Sequence, residues 1–364
     1  MNLSRIKRWI LLGHRWLGIG TCLLFFLWFL SGVVMMYVGH PKLTWQERLE
    51  HLPPLEASQS LLSPADAFRQ AGIHGTVTDL RLANARAGQP VYIARIRPDP
   101  RPAPDAPRPE PHLVALDART GTLLPPTDPA TALASAQVYL EQGGLSHPSS
   151  SSALPASSPR QPSPAGAQDT PGKPLYQGIT VEDAHTHSAA MDLHRPLHKV
   201  LLPDAEQTLL YISGTTGEVV RDAPRLERGF NYLGAWLHWL YLFRDTAIDW
   251  TDLIIWLSVI GTVATLSGFL SGIIRWRFSR PYRSGSRSPF APGALRWHHI
   301  LGLVFALTTF TWIFSGLMSM NPWDIFEADE SIIDARRISN PDIQPSRAIA
   351  TPQALLASTT TPVR

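Results

Sequence analysis

Two histidines occupy the same place in two matching apolar stretches of this 364-residue chain. Aligned without gaps, His14 pairs with His298, Leu17 with Leu301, Gly18 with Gly302, Leu23 with Leu307 and Phe26 with Phe310. The match continues through Trp28 with Trp312, Ser31 with Ser315, Gly32 with Gly316 and Met36 with Met320. At about 100° per helical residue, offsets of four and eighteen fall within roughly 40° of the histidine's own direction. Gly18, Gly32 and Met36 therefore share a face with His14, as Gly302, Gly316 and Met320 do with His298. Neutral imidazole is an axial ligand for haem iron, and absent side chains leave room for a flat macrocycle. Two imidazoles at one depth on facing helices could thus hold one haem b. Glycines on a membrane-helix face also permit close helix packing, the competing explanation. His299 adjoins His298 and either could face inward, with the repeat alignment favouring His298.

A second candidate set lies farther along. His238 sits among Trp236, Trp239, Tyr241 and Phe243, while His185, His187, His194 and His198 crowd a short stretch in which His194 and His198 are four apart. A second haem ligated by His238 and one of these would extend an electron route. Polar surface explains a loop histidine cluster equally simply. Met35, Met36, Met318 and Met320 could bind copper(I), though core packing accounts for them too. The single cysteine, Cys22, excludes a disulfide framework and a thiolate metal site. Walker loops, dinucleotide fingerprints and zincin motifs are missing, so electrons would enter from a quinol or a cytoplasmic donor.

The elements that must position these residues are membrane spans. Apolar runs at 9–38, 253–274 and 300–320 are long enough to cross roughly 30 Å of hydrocarbon. Arg5, Lys7 and Arg8 precede the first, and Arg275, Arg277, Arg280, Arg283, Arg287 and Arg296 follow the second. Asp245, Asp249, Asp252, Asp324, Glu327, Asp329 and Glu330 mark the opposite ends. The positive-inside rule then places the N-terminus in the cytoplasm and the large middle segment and C-terminus outside. The net charge of +3 is explained by these flanking arginines, and no nucleic-acid partner is expected. The first and third spans run the same way, which implies a parallel repeat about an axis along the membrane normal.

The expected organisation is a cytoplasmic start and first span at 1–38, an α+β unit at 39–145, a disordered Pro/Ser/Ala-rich insert at 146–174 and a second α+β unit at 175–224. An interfacial amphipathic helix follows at 225–250, then the second span at 251–275, a basic loop at 276–296, the third span at 297–320 and an outer tail at 321–364. In the first α+β unit, Ser63-Pro64-Ala65-Asp66 opens a short helix. Strands are expected at 76–82, 89–96 and 112–116, ending in the turn Asp117-Ala118-Arg119-Thr120-Gly121. The second unit repeats this, with a helix at 128–142, strands at 196–200 and 208–212, the turn Ser213-Gly214-Thr215-Thr216-Gly217 and a strand at 218–220. A smaller proline-rich loop spans 98–111.

A helix-turn-strand unit ending in a Thr-Gly turn resembles the PepSY domain, and the flanking spans resemble the PepSY-associated transmembrane helix family of bacterial inner-membrane proteins. The resemblance is carried by His14-Arg15-Trp16-Leu17-Gly18, by Arg195-Pro196-Leu197 running into 208–217, by Leu237-His238 and by 297–322. Longer relatives continue into a fourth span. The resemblance implies a bacterial inner-membrane location and a link to iron acquisition, with a ferric siderophore as the outer electron acceptor. Three spans make a sparse sheath, so a homodimer or the surface helix would supply the remaining wall beside membrane lipid. The competing expectation is a non-catalytic scaffold whose sheet edges bind a protease or transporter partner; copper handling is a third.

Overall fold

The computed structural model describes residues 3–97, 110–145, 172–244, 246, 248–326, 343–348 and 350–364. Most of the expected insert at 146–174, most of the loop at 98–111 and the acidic residues 327–330 lie outside them. The chain forms two units: Met1–Gly39 with Tyr232–Ile333, and His40–Asn231 with Asp334–Arg364. The first unit begins with α1, Leu3–Tyr37. At 1.5 Å per residue this helix is about 52 Å long, and it is apolar enough to cross a membrane.

The second unit is α+β. Helix α2, Trp45–Glu50, starts at a capping box in which the Thr44 hydroxyl accepts from the Glu47 amide and the Glu47 carboxylate accepts from the Thr44 amide. Helix α3, Pro64–Ala71, starts where Ser63 Oγ accepts from the Asp66 amide, 3.1 Å. It stops at Gly72, whose φ of +64° suits a residue without Cβ. It packs on an antiparallel sheet of order β1-β2-β3, at Thr76–Arg86, Gln89–Arg97 and His112–Asp117. The central strand is buried on both faces. Tyr92, Ala94 and Ile96 join Phe68 of α3, whereas Val91 and Ile93 pack with Ala83 and Ala85 on the other side. Helix α4, Pro129–Leu145, covers a second antiparallel sheet, β4-β5-β6-β7, at Leu175–Thr180, Leu197–Leu201, Leu209–Ser213 and Val219–Ala223. Its Ala132 and Ala136 sit against Val200, Leu210 and Ile212.

The same turn follows β3 in the first sheet and β6 in the second. Asp117 Oδ1 accepts from the amides of Arg119 and Thr120, and Ser213 Oγ accepts from those of Thr215 and Thr216. Each turn closes on a glycine at positive φ, Gly121 at +67° and Gly217 at +77°, whose amide donates to the first residue's carbonyl at 2.8 and 2.9 Å. Ser135 of α4 joins the halves by accepting from the Ala87 amide and donating to the Gly217 carbonyl.

Helix α5, Arg225–Asn231, ends this unit. The expected single helix over 225–250 is instead interrupted: a π turn, Tyr232–Trp236, belongs to the first unit, and a 3₁₀ turn follows at Tyr241–Phe243. Leu240 adopts φ +51°, which breaks the helical path. Gly234 lets the π turn rest on α1, since a Cβ there would meet Met35 Cγ at 3.1 Å. Helix α6, Trp250–Arg275, is the second helix long and apolar enough to span. The third apolar stretch is two helices, α7 Ala294–Val304 and α8 Ala306–Ser319, which meet at 67°. The expectation of one continuous helix over 297–320 is therefore corrected. Phe305 sits at the break with φ −97° and ψ 5°, between hydrogen bonds from its own amide to Leu301 and from the Thr309 amide to its carbonyl. The two repeat copies consequently differ in shape, one straight and one bent.

The tail is not a free appendage. Ile343 bridges to Val77 and Val363 to Leu55, and helix α9, Pro352–Ser358, adds Leu356 to the core beneath α3.

Candidate functional site

The spanning unit is assembled on α6, which packs against α1, α7 and α8. Three of its glycines make close approach possible. A Cβ on Gly261 would lie 3.1 Å from Phe25 and 3.3 Å from Ile313, one on Gly268 would lie 2.7 Å from His14 Cε1, and one on Gly272 would lie 2.6 Å from Leu303. Gly268 and Gly272 form a small-xxx-small pair of the type that seats membrane helices. That signal is present in the sequence, but it stands on the one span without a histidine.

His14 and His298 come together. Their ring centroids are 6.3 Å apart with planes inclined by 17°. A metal–imidazole bond is about 2 Å, so two rings ligating one iron from opposite sides have centroids about 6 Å apart. His14 Nδ1 lies 3.3 Å from the Ala264 carbonyl and 3.5 Å from Ser267 Oγ. Such a carbonyl partner fixes the tautomer of a metal-ligating histidine and leaves Nε2 free. His298 is exposed and has no hydrogen-bond partner among the described residues. A Cβ on Gly18 or Gly302 would meet nothing within 4 Å, so each glycine leaves open space one helical turn from its histidine. Close packing therefore does not explain these two glycines. The separation of the two rings is the spacing that a haem iron held by both would require.

His299 is placed differently. It is 7% exposed, with Nδ1 2.8 Å from Ser288 Oγ and Nε2 3.0 Å from the Gly272 carbonyl. With both nitrogens engaged it ties the loop before α7 to the end of α6, and it has no lone pair left for a metal.

At the other end of α1, His238 Nδ1 lies 3.1 Å from Ser31 Oγ, and Ser31 donates to the Leu27 carbonyl at 2.6 Å. His238 lines a cleft of about 660 Å³ together with Phe25, Trp28, Trp312, Gly316 and Met320. The matched glycines have separate roles here: Gly32 packs, a Cβ there meeting Trp312 at 3.1 Å and His238 at 3.6 Å, whereas Gly316 faces open space. Trp28 Nε1 is buried without a hydrogen-bond partner.

The remaining histidines belong to the α+β unit. His198 Nε2 donates to the Thr127 carbonyl and Nδ1 accepts from the Tyr176 hydroxyl, each at 2.9 Å, and burial lowers its pKa. His194 lies 3.1 Å from Ser213 Oγ, and burial holds its pKa down against the pull of Glu218. His185 accepts from Asn231 Nδ2 at 3.1 Å, and His187 contacts Glu182. These contacts shape the second sheet and its turn. Among the described residues, no group of three or more His, Cys, Asp or Glu side chains is spaced to hold a metal ion.

Compared with protein-family models, curated proteins and solved structures, the chain has no match.

Proposed function

We propose that this chain is a membrane oxidoreductase that holds haem b between His14 and His298 and serves electron transfer across a bacterial inner membrane. The observation that carries the reading is the 6.3 Å separation of two near-parallel imidazoles beside two glycines with open space. Bound haem supplies one-electron chemistry through its iron. The chain's residues prepare its seat. His14 Nδ1–H donates a hydrogen bond to the Ala264 carbonyl, which leaves the Nε2 lone pair available, Gly268 admits the ring against α6, and Gly18 and Gly302 keep the flanks clear. At the far end, Ser31 spends its proton on Leu27 and so accepts from His238 Nδ1, which leaves His238 Nε2 as a second candidate ligand at the outer cleft.

In this reading α1, α6 and the bent α7–α8 pair are three spans, with the N-terminus and the arginine-rich loop in the cytoplasm. A quinol or cytoplasmic donor provides the electron. The proposed acceptor is an extracytoplasmic ferric siderophore, whose oxygen ligands release iron once it is reduced. Proteoliposomes enclosing a reductant test this directly: wild-type protein reduces an external ferric hydroxamate, and His14→Ala and His298→Ala do not. Equal rates in all three would end the proposal.

One observation favours a scaffold as the second reading. Strand β4 is an edge of its sheet and exposes Leu175 and Ile179 at 60% and 56%, a surface suited to strand addition by a partner. Stoichiometric co-purification of a partner, with both histidine variants fully functional, would select it.

A further inference from the structure

Within the α+β unit, a cleft of about 680 Å³ opens between α2, β1, α4 and the start of β7. Its walls are largely apolar, with Leu43, Trp45, Leu82 and Val138 among them. Its polar end is built around Glu218, whose side chain is 4% exposed and receives Arg81 Nη2 at 2.5 Å and Arg48 Nη1 at 3.2 Å. Thr216 Oγ1 donates to the same carboxylate at 3.1 Å, so Glu218 is fixed by the turn that joins β6 to β7.

The charges do not balance. Two guanidiniums share one carboxylate, and each guanidinium carries five N–H donors. Among the described residues, Arg48 and Arg81 use one donor each in a hydrogen bond, both on Glu218. Arg81 Nε is buried without an acceptor among the described residues. Both side chains are largely covered, at 18% and 24% exposure, so water satisfies few of the remaining donors. Half-buried guanidiniums with unused donors at the end of an apolar cleft match a carboxylate in charge and in forked geometry. The aliphatic walls match a hydrocarbon body better than a bare inorganic anion.

We propose that this cleft is a binding site for an organic monocarboxylate with a short aliphatic body, its carboxylate on Arg48 and Arg81 and its chain along Leu82 and Val138. The site is independent of the histidine pair in the spanning unit. The test uses the full chain in lipid nanodiscs and saturation-transfer NMR with 4-methylpentanoate, its uncharged amide and inorganic phosphate. The expected result is binding of the carboxylate, at least tenfold weaker binding of the amide, and no competition by equimolar phosphate. Arg48→Met should remove the preference for the carboxylate over the amide. Val138→Trp, which fills the cleft and spares the ion pairs, should abolish binding of both. Failure of the carboxylate to bind, equal binding of the amide, effective competition by phosphate, or a folded Val138→Trp protein that binds as wild type would each overturn the assignment.

Discussion

Replacing Gly268 by alanine perturbs the proposed haem seat without touching a ligand. The added Cβ would stand 2.7 Å from His14 Cε1 and 3.2 Å from Nδ1, against ordinary contacts of 3.4 Å or more. The imidazole must retreat by about 0.7 Å, which forces His14 off its rotamer at about 0.5–1.5 kcal/mol. It also stretches the 3.3 Å contact with the Ala264 carbonyl, whose loss costs about 1 kcal/mol. Together these amount to roughly 2 kcal/mol, or a loss of haem affinity of about thirtyfold. Helix propensity acts oppositely on folding, since alanine is favoured over glycine by about 1 kcal/mol in a helix interior. Set against the strain, this gain leaves the fold at most about 1 kcal/mol less stable, while haem binding weakens. Titration of apo-protein with haemin, read by absorbance and set beside Gly20→Ala, measures this; a Cβ at Gly20 meets nothing within 4 Å. Wild-type affinity in Gly268→Ala would refute the placement of His14 as a ligand held against α6.

Further outcomes follow from the same geometry. Gly302→Ala fills open space, so it should raise thermal stability by about 1 kcal/mol in apo-protein yet weaken haem binding; unchanged binding would mean no macrocycle lies there. His299→Ala leaves Ser288 and the Gly272 carbonyl without their buried partner and should cost about 2–4 kcal/mol in thermal unfolding, with the haem spectrum per folded molecule unaltered. In the α+β unit, burial first, reinforced by Arg221 and Arg228, holds His185 down to about 4, and burial with Arg221 does the same for His40. A depressed folded pKa means stability that is present above the ordinary histidine value of 6.5 and lost as pH falls toward 4. Asp222, raised to about 7 by burial and then by Glu47 and Glu227, acts oppositely, since its protonated form favours the fold as pH drops below 7. Protection of the β6 amides, with exchange rates corrected for their intrinsic pH dependence, should therefore fall between pH 6.5 and 4, less in His185→Gln and more in Asp222→Asn; identical profiles in all three would contradict these burial effects.

Much of the architecture was legible because it is written in local chemistry. The Ser63-Pro64 start of α3 satisfies an orphan amide, and the matching turns at 117–121 and 213–217 use Asp or Ser to hold amides and glycine to reverse the chain. The pairing of His14 with His298 followed from a gapless repeat. Features set by tertiary contact were not legible. No glycine or proline marks the break at Phe305, so a sequence reading runs straight through it. Strand β4 was hidden by its bulge at Gly178 and its exposed alternation beside a low-complexity stretch. The return of the tail to β1 and to Leu55 depends on one isolated bridge each, which no local pattern announces. The glycines of α6 carry no repeat and no ligand residue to mark them, yet the packing that presents His14 comes from this helix, which lacks a histidine.

The central claim is tested most directly by the spin state of the purified protein after haem is added. Two ligating imidazoles predict a six-coordinate, low-spin ferric spectrum in the wild type. His14→Gly and His298→Gly should each turn high-spin, and free imidazole should restore the low-spin form by filling the vacated place. A wild-type protein that stays colourless while folded, or a low-spin spectrum indifferent to both substitutions, would contradict the account.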